Sequence, residues 1–439
     1  MNIPQIGGRL RAQIIQFSGK LSAGLPKVMR RFLAEAIYGI AAKGSVRLSD
    51  IARALEESIV MKKTIDRLSS RLGYMGLKDH VTERILDDAS VRIGEDTLLI
   101  IDPSDITKKY ARSMEYLDMV RDGSEGELSN GYWTCDGVAC EVGESDILPL
   151  YHGLYSAIAP DFVSENEEIL KCMKRISEKT GNRGIYVIDR GGDRGKLLLS
   201  LLEGKRRFLI RLVGTRHLVY RGKNIEASEL ADRCPLSYAE RIVKEDKGKE
   251  KSYCLEFGFL KVRLPFRPEQ LYLVVIRGFG EEPLMLLTNV EMKKKRSVLT
   301  WAVDAYLTRW KVEETIRYIK QCYNLEDIRV MTYERLKNMA ALVLATAYFT
   351  AVHLGLRSKL EILAGHALRA AKRIFGIPNF RYYALADGIR HILSRSGKGL
   401  RQKTFQPHPP KPAPLPPLKK MGEVQLYIQD FPQNFPIES

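Results

Sequence analysis

Thr97-Leu98-Leu99-Ile100-Ile101-Asp102 and, further along, Gly184-Ile185-Tyr186-Val187-Ile188-Asp189 are the two stretches that decide the fold. Each is a short apolar run without polar alternation. That texture predicts an internal strand buried on both faces, as in a parallel sheet. Each run ends on an aspartate, so both strands are expected to deliver a carboxylate at their carboxyl ends. Between the two runs, residues 162–180 show helical periodicity. After the second come a Gly-rich turn and a helix over Lys196–Glu203. The expected class is α/β, with the two aspartates facing the same end of a sheet.

Working outward, residues 1–90 read as helical. Val28, Phe32, Leu33 and Ile37 share one helical face, and Ile51, Leu55 and Ile59 share another, with Ser49 as a candidate cap. The segment Val46–Leu68, two short helices carrying several Lys and Arg, suits either docking on DNA as a helix-turn-helix or ordinary helical packing. Residues 91–204 hold the two decisive strands and further strands around Tyr132–Val142. Residues 205–292 form a β-rich insertion with strand-like runs at Phe208–Val213, Leu218–Tyr220, Tyr253–Leu264 and Leu271–Ile276, and a weak helix candidate near 227–243. Residues 293–330 open on Lys293-Lys294-Lys295-Arg296 and continue as one long helix from about Val298 to Cys322. Helices over Tyr333–Leu354 and Leu360–Ile374 lie in 331–400, and 401–439 is a Pro-rich tail of polyproline-like tether character.

The chain of 439 residues carries 70 Lys and Arg against 53 Asp and Glu, a net charge of +17. Such an excess points to a polyanionic partner, nucleic acid above all. Six cysteines without a Cys-x2-Cys pair argue against a disulfide scaffold and against zinc. Met339–Leu354, the most apolar helix candidate, is too short and too polar for a membrane span, and the N-terminus does not read as a signal peptide.

Either aspartate alone could simply cap the element that follows it. The turn Asp189-Arg190-Gly191-Gly192-Asp193-Arg194-Gly195 lacks the G-x-G-x-x-G order of a dinucleotide site and would set two carboxylates against a diphosphate. A carboxylate pair in a basic protein is better suited to holding Mg2+ or Mn2+ while phosphates approach. The third element is the helix through Tyr306, Arg309, Glu313 and Lys320, which at 100° per residue fall on one polar stripe flanked by apolar shoulders. An i,i+4 ion pair between Arg309 and Glu313 on a solvated face is the plainer reading. Glu314 is turned off the stripe, Trp310 suits core packing, and Asp105 and Asp193 are alternatives to Asp102 and Asp189.

The spacing Tyr306, Arg309, Glu313, Lys320 resembles the Y-R-E-K signature of bacterial DDE transposases of the insertion-sequence type-four group, and Ile100-Ile101-Asp102 and Asp189-Arg190 with Asp193 resemble the segments around that family's two aspartates. The resemblance spans about residues 95–325. It implies an RNase H-like mixed-sheet catalytic core with a β-rich insertion between the second Asp and the Glu. Asp102, Asp189 and Glu313 would then be catalytic and would bind two divalent ions, Mg2+ or Mn2+, while Tyr306, Arg309 and Lys320 contact DNA phosphates. The implied activity is end cleavage and strand transfer of an insertion sequence. The implied partners are double-stranded DNA with terminal inverted repeats, target DNA and a second copy of the chain in a homodimer on DNA. No membrane partner is expected, and the implied setting is the bacterial cytoplasm at the nucleoid. A nuclease without strand transfer, or a non-catalytic DNA-binding descendant, are the alternatives. In one respect the sequence departs from the family: some relatives carry a base-stacking aromatic where Leu284 stands, a role left here to Trp301, to Tyr272 or to no residue.

Overall fold

The computed structural model describes residues 2–123, 126–246, 249–355, 361–371, 380–397, 399 and 400; the Pro-rich tail expected at 401–439 lies outside the described residues. Residues up to Leu400 form one compact unit. It opens with α1 (Ile3–Leu21), α2 (Lys27–Lys43), α3 (Leu48–Leu55), α4 (Met61–Leu72) and α5 (Leu77–Ser90). Helix α2 starts directly after Pro26 and stops at Gly44, whose φ of 59° a residue with a Cβ adopts only under strain. A Cβ there would also come within 2.8 Å of the Cys322 carbonyl oxygen, so this glycine lets the helical unit close against the chain that follows the site. Ser49, the expected cap of α3, lies inside its first turn. The entry is held instead by Ser45 Oγ donating to Asp50 at 2.8 Å.

The sheet and its covering helices follow in the order β1 (Leu98–Thr107), β2 (Asp118–Arg121), β3 (Leu128–Cys140), β4 (Leu148–Tyr155), α6 (Glu165–Thr180), β5 (Ile185–Ile188), α7 (Gly195–Glu203) and β6 (Arg207–Arg211). Strands β1, β3 and β4 pair antiparallel, β5 pairs parallel to β1, and β6 parallel to β5. The order β4-β3-β1-β5-β6 is that of an RNase H-like sheet. Gly184, at φ 96°, brings β5 close under β1; a Cβ there would collide with the Leu99 side chain at 2.7 Å. β1 runs past the expected stop at Asp102 as far as Thr107, because β3 continues to pair along it, while its parallel contact with β5 covers only Leu98–Ile100. Pro103 falls in this half-open stretch, where a residue without an N–H is tolerated.

Beyond β6 the chain adds β7 (His217–Tyr220), β8 (Lys223–Glu226), α8 (Ala227–Asp232), β9 (Tyr238–Asp246), β10 (Lys249–Val262), β11 (Leu271–Arg277) and β12 (Leu284–Thr288). β7 and β8 form a separate two-stranded sheet. The other four continue the main sheet antiparallel, in the order β6-β12-β11-β10-β9, so the β-rich segment extends the core sheet. The helix candidate at 227–243 is short, ending at Asp232, and gives way to β9.

The long helix expected over 298–322 is two helices, α9 (Arg296–Thr308) and α10 (Trp310–Tyr323), with Arg309 at the junction. Two i→i−3 bonds tighten the chain there, Arg309 N to Tyr306 O and Val312 N to Arg309 O, both 3.0 Å. α11 (Tyr333–Tyr348) runs into a π-helical turn over Phe349–Leu354, and α12 (Glu361–Ala370) and α13 (Tyr382–Arg395) complete the unit. From Asn338 onward α11 is buried on every side, which explains why its sequence there is apolar apart from Asn338 and Thr346. Among the described residues no helix is long and apolar enough to cross a membrane.

Candidate active site

Residues directly opposite in a sheet point to the same face, and neighbours along a strand to opposite faces. Asp102 on β1 lies opposite Asp136 on β3, and Asp136 opposite His152 on β4, so the three share one face. Gly137 belongs to the other face, where a Cβ would meet Cys172 Sγ of α6 at 3.2 Å. Helix α10 packs on β1 and β3, and it is Asp102's face that meets the α9–α10 junction.

On that face is a groove of about 1480 Å3 lined by Asp102, Asp189, Arg309, Glu313 and Lys320. The sequence separates these residues widely and the fold gathers them. Arg309 is the link. One guanidinium nitrogen lies 4.0 Å from Asp102 Oδ2 and another bonds Glu313 Oε1. Burial pushes the Asp102 carboxyl up to about 7; Arg309 opposes the rise, and Asp189, Glu313 and Asp136 add to it. Burial alone would weaken the Arg309 charge, but Glu313 and Asp102 reverse that and raise its pKa.

Asp189 keeps a structural duty as well. Its Oδ1 accepts from Gly191 N at 2.7 Å, capping the short turn Arg190–Gly192. Lys320 is held by Asp105 at 3.5 Å and Glu326 at 3.7 Å. Tyr306, one turn before Arg309, is buried and does not line the groove, although its hydroxyl is felt electrostatically by Arg309. Glu314 turns away and pairs with Arg317. Of the alternatives, Asp193 is engaged outside the groove, while Asp105 stays in it beside Lys320. Asp193 braces the end of β6, accepting from Val213 N at 2.8 Å and Arg216 Nε at 2.6 Å, and Asp105 accepts from Gly123 N at 3.2 Å. Trp310 is half-buried.

The sequence reading missed two features. One is the buried pair behind Asp102: His152 Nδ1 lies 2.5 Å from Asp136 Oδ1, and Thr134 Oγ1 donates to the other oxygen at 2.8 Å. The other is the groove's basic lip. Exposed Lys109, Tyr110 and Arg112 follow β1, with exposed Arg317 and Arg329 on the helical side. The cluster Lys108-Lys109-Tyr110-Ala111-Arg112 was a readable signal for it, basic residues around an aromatic just past a strand.

Carboxylate oxygens are the hard ligands Mg2+ and Mn2+ prefer, and the mutual repulsion felt at Asp102 is what a bound cation relieves. The donor chemistry fits a divalent ion. Among the described residues no three acidic, His or Cys groups stand close enough to hold one as they are. Arg309 supplies the counter-charge.

Residues 154–350 match the family Transposase DDE domain. The transposase-like stretch contains Asp189 and Glu313 and starts downstream of Asp102. The fold is similar to that of piggyBac transposase in a synaptic complex with hairpin DNA, with 11% identity, 98% of this chain and 84% of that chain covered, and a TM-score of 0.42. It is also similar to the Drosophila P element transposase in a strand transfer complex, with 11% identity, 82% and 84% covered, and a TM-score of 0.17. No curated protein matches the chain. As to the stacking aromatic of some DDE relatives, Leu284 opens β12, Tyr272 is buried in β11, and Trp301 is half-buried against the core.

Proposed function

We propose that this protein is the transposase of a bacterial insertion sequence of the type-four group, cutting element ends and joining them to target DNA at Asp102, Asp189 and Glu313. The observation that carries the reading is the meeting of these three carboxylates on one groove, two of them inside the transposase-like stretch. Asp102, Asp189 and Glu313 would hold two divalent ions, Mg2+ or Mn2+. When bound, such ions activate the attacking oxygen and stabilise the leaving one in phosphoryl transfer.

The chain's own residues do the rest. Arg309 neutralises Asp102 and Glu313 and presents its remaining donors to a phosphate. Lys320, steadied by Asp105, and the lip cations Lys109, Arg112, Arg317 and Arg329 bind the backbone of double-stranded DNA ending in inverted repeats. Tyr306, the first residue of the Y-R-E-K spacing, would contact the DNA phosphates together with Arg309, with which it interacts electrostatically. Residues 1–90 serve as a DNA-binding helical domain, 91–204 and 293–330 as the two parts of the catalytic core, 205–292 as the β-rich insertion, whose first strand β6 completes the core sheet, and 331–400 as C-terminal helices, with a homodimer holding two ends at the nucleoid.

The test is incubation of the purified protein with its own flanking repeats, Mg2+ or Mn2+ and a target plasmid. Nicked ends followed by joined products are expected. Glu313→Ala should abolish cutting while end-DNA binding persists. Cutting at the wild-type rate by that variant refutes the assignment, and hydrolysis without joining marks a nuclease.

A further inference from the structure

On the face of the sheet opposite Asp102 lies a second cavity, of about 440 Å3, between α5, α6, β4 and the start of α11. Three cations from three helices converge on it: Lys78, Arg175 and Lys337. Burial lowers the Lys78 pKa; Asp79 resists, and Lys337 and Arg175 push it down further. Like charges this close are costly unless anions offset them; Asp79 lies among all three and Glu334 pairs with Lys337, which offsets part of the cost.

The cavity's own carboxylates are already engaged. Glu168 pairs with Lys171 at 2.6 Å, Glu83 with Lys179 at 2.8 Å, Asp161 with Lys337 at 3.5 Å and Glu178 with Lys174 at 3.9 Å. Two donors are left over. Arg175 gives one nitrogen, Nη2, to Asp79, while Nη1 is shielded from water and has no hydrogen-bond partner among the described residues. Among the described residues Lys78 Nζ has only Asp79 as an ion-pair partner, at 3.8 Å, beyond hydrogen-bond range. A buried guanidinium nitrogen left unpaired costs stability, so a ligand that supplies two or three acceptor oxygens gains from filling this place.

The rest of the wall is aromatic apart from Leu154. Tyr155 and Phe162 stack with ring centres 5.7 Å apart and planes within 4°, and Lys337 Nζ sits 4.4 Å over the Tyr333 ring. A flat apolar wall beside a cationic end matches an aromatic ring joined to a phosphate. The volume is in the range of small-molecule sites, roughly 300–1,000 Å3, and too small to admit a duplex. We propose that this cavity binds a nucleoside monophosphate or a comparably small aromatic phosphate, with Lys78 and Arg175 on the phosphate and the Tyr155–Phe162 wall beside the ring. The site stands apart from the acidic groove and does not depend on the groove's chemistry.

The test is calorimetric titration of the full chain with adenosine monophosphate in EDTA, which keeps metal in the acidic groove from recruiting phosphate. One equivalent should bind, and inorganic phosphate should compete. Lys78→Gln, which leaves the Arg175–Asp79 pair intact, and Arg175→Gln should each weaken binding at least tenfold. Lys27→Gln, an exposed change elsewhere, should not, and unchanged thermal unfolding of Lys78→Gln checks its fold. Absence of saturable binding to the wild type, or wild-type affinity in Lys78→Gln, overturns the proposal. Displacement of the nucleotide by short duplex DNA at equal phosphate concentration overturns the small-molecule assignment.

Discussion

Lys108 provides a test of how the groove is built that needs no DNA. The residue directly follows the end of β1 at Thr107, is buried, and donates to the carbonyls of Glu326 and Ile328, at 3.0 Å for the latter. It thereby ties the floor of the groove to the chain that follows α10. Burial lowers its pKa from 10.5 to about 8, although Glu326 and Asp327 pull the other way. The sign follows from proton counting. Between pH 8 and 10.5 the unfolded chain binds the Lys108 proton and the folded chain has released it, so stability rises with pH through that window. Below it the folded protein carries the whole cost of the buried charge, about 3 kcal/mol at pH 7. By pH 10 about 2.5 kcal/mol of that is recovered. Urea unfolding of the wild type and of Lys108→Met at both pH values isolates the effect, because other titrations cancel in the difference. The wild type should gain about 2.5 kcal/mol on the variant between pH 7 and pH 10. A difference that stays constant would mean that Lys108 is solvated in the folded protein, and the account of the groove floor would fall.

Three further outcomes are expected. Asp136→Ala strands Thr134 Oγ1 and His152 Nδ1 in the interior and should cost about 2–4 kcal/mol in chemical denaturation; Asp136→Asn, which keeps the shape and one acceptor, should cost clearly less, and equal costs would show that packing alone matters there. Asn338 is fully buried and ties α11 to the chain around α5, donating to Leu72 O at 2.8 Å and Tyr74 O at 3.0 Å and accepting from Lys78 N at 2.9 Å. Asn338→Leu should destabilise by about 3–5 kcal/mol, and a loss under about 1 kcal/mol would contradict these bonds. If Arg112 and Arg329 each meet a phosphate, replacing both with Gln should flatten the plot of log binding constant against log salt by about 2, and an unchanged slope removes the lip from the DNA footprint.

What the sequence disclosed, and what it hid, has a physical pattern. β5 was legible because a strand covered on both faces must be apolar throughout, and Ile185–Ile188 is. The continuation of β1 was not, because Asp102-Pro103-Ser104-Asp105 has the composition of a turn, and only the pairing partner β3 makes it a strand. A strand's sequence does not name its neighbour, so nothing marked β6 as the fifth strand of the core or joined β9–β12 to the same sheet. Asp136 sits in an apolar stretch, and its meaning comes from standing opposite Asp102. The carboxylates themselves were readable, Asp189 and Glu313 by local context and Asp102 by the apolar run before it.

The stripe of Tyr306, Arg309, Glu313 and Lys320 is interrupted at Arg309, where one helix ends and the next begins. Periodicity assumes that every residue advances the helix by the same angle, and Arg309 keeps helical dihedrals, at φ −53° and ψ −32°, so no sequence rule flags it. Yet the tightened bonds on either side end α9 and start α10 there. Tyr306 is left in the core while Arg309, Glu313 and Lys320 stay in the groove. Placing the cation at the junction matters electrostatically. At 4.0 Å and an effective dielectric constant of about 20, Arg309 and Asp102 attract by roughly 4 kcal/mol, enough to offset much of the repulsion that Asp189, Glu313 and Asp136 impose on Asp102. A basic protein can therefore keep an acidic floor in its groove because the helix break delivers one guanidinium to two of the carboxylates at once.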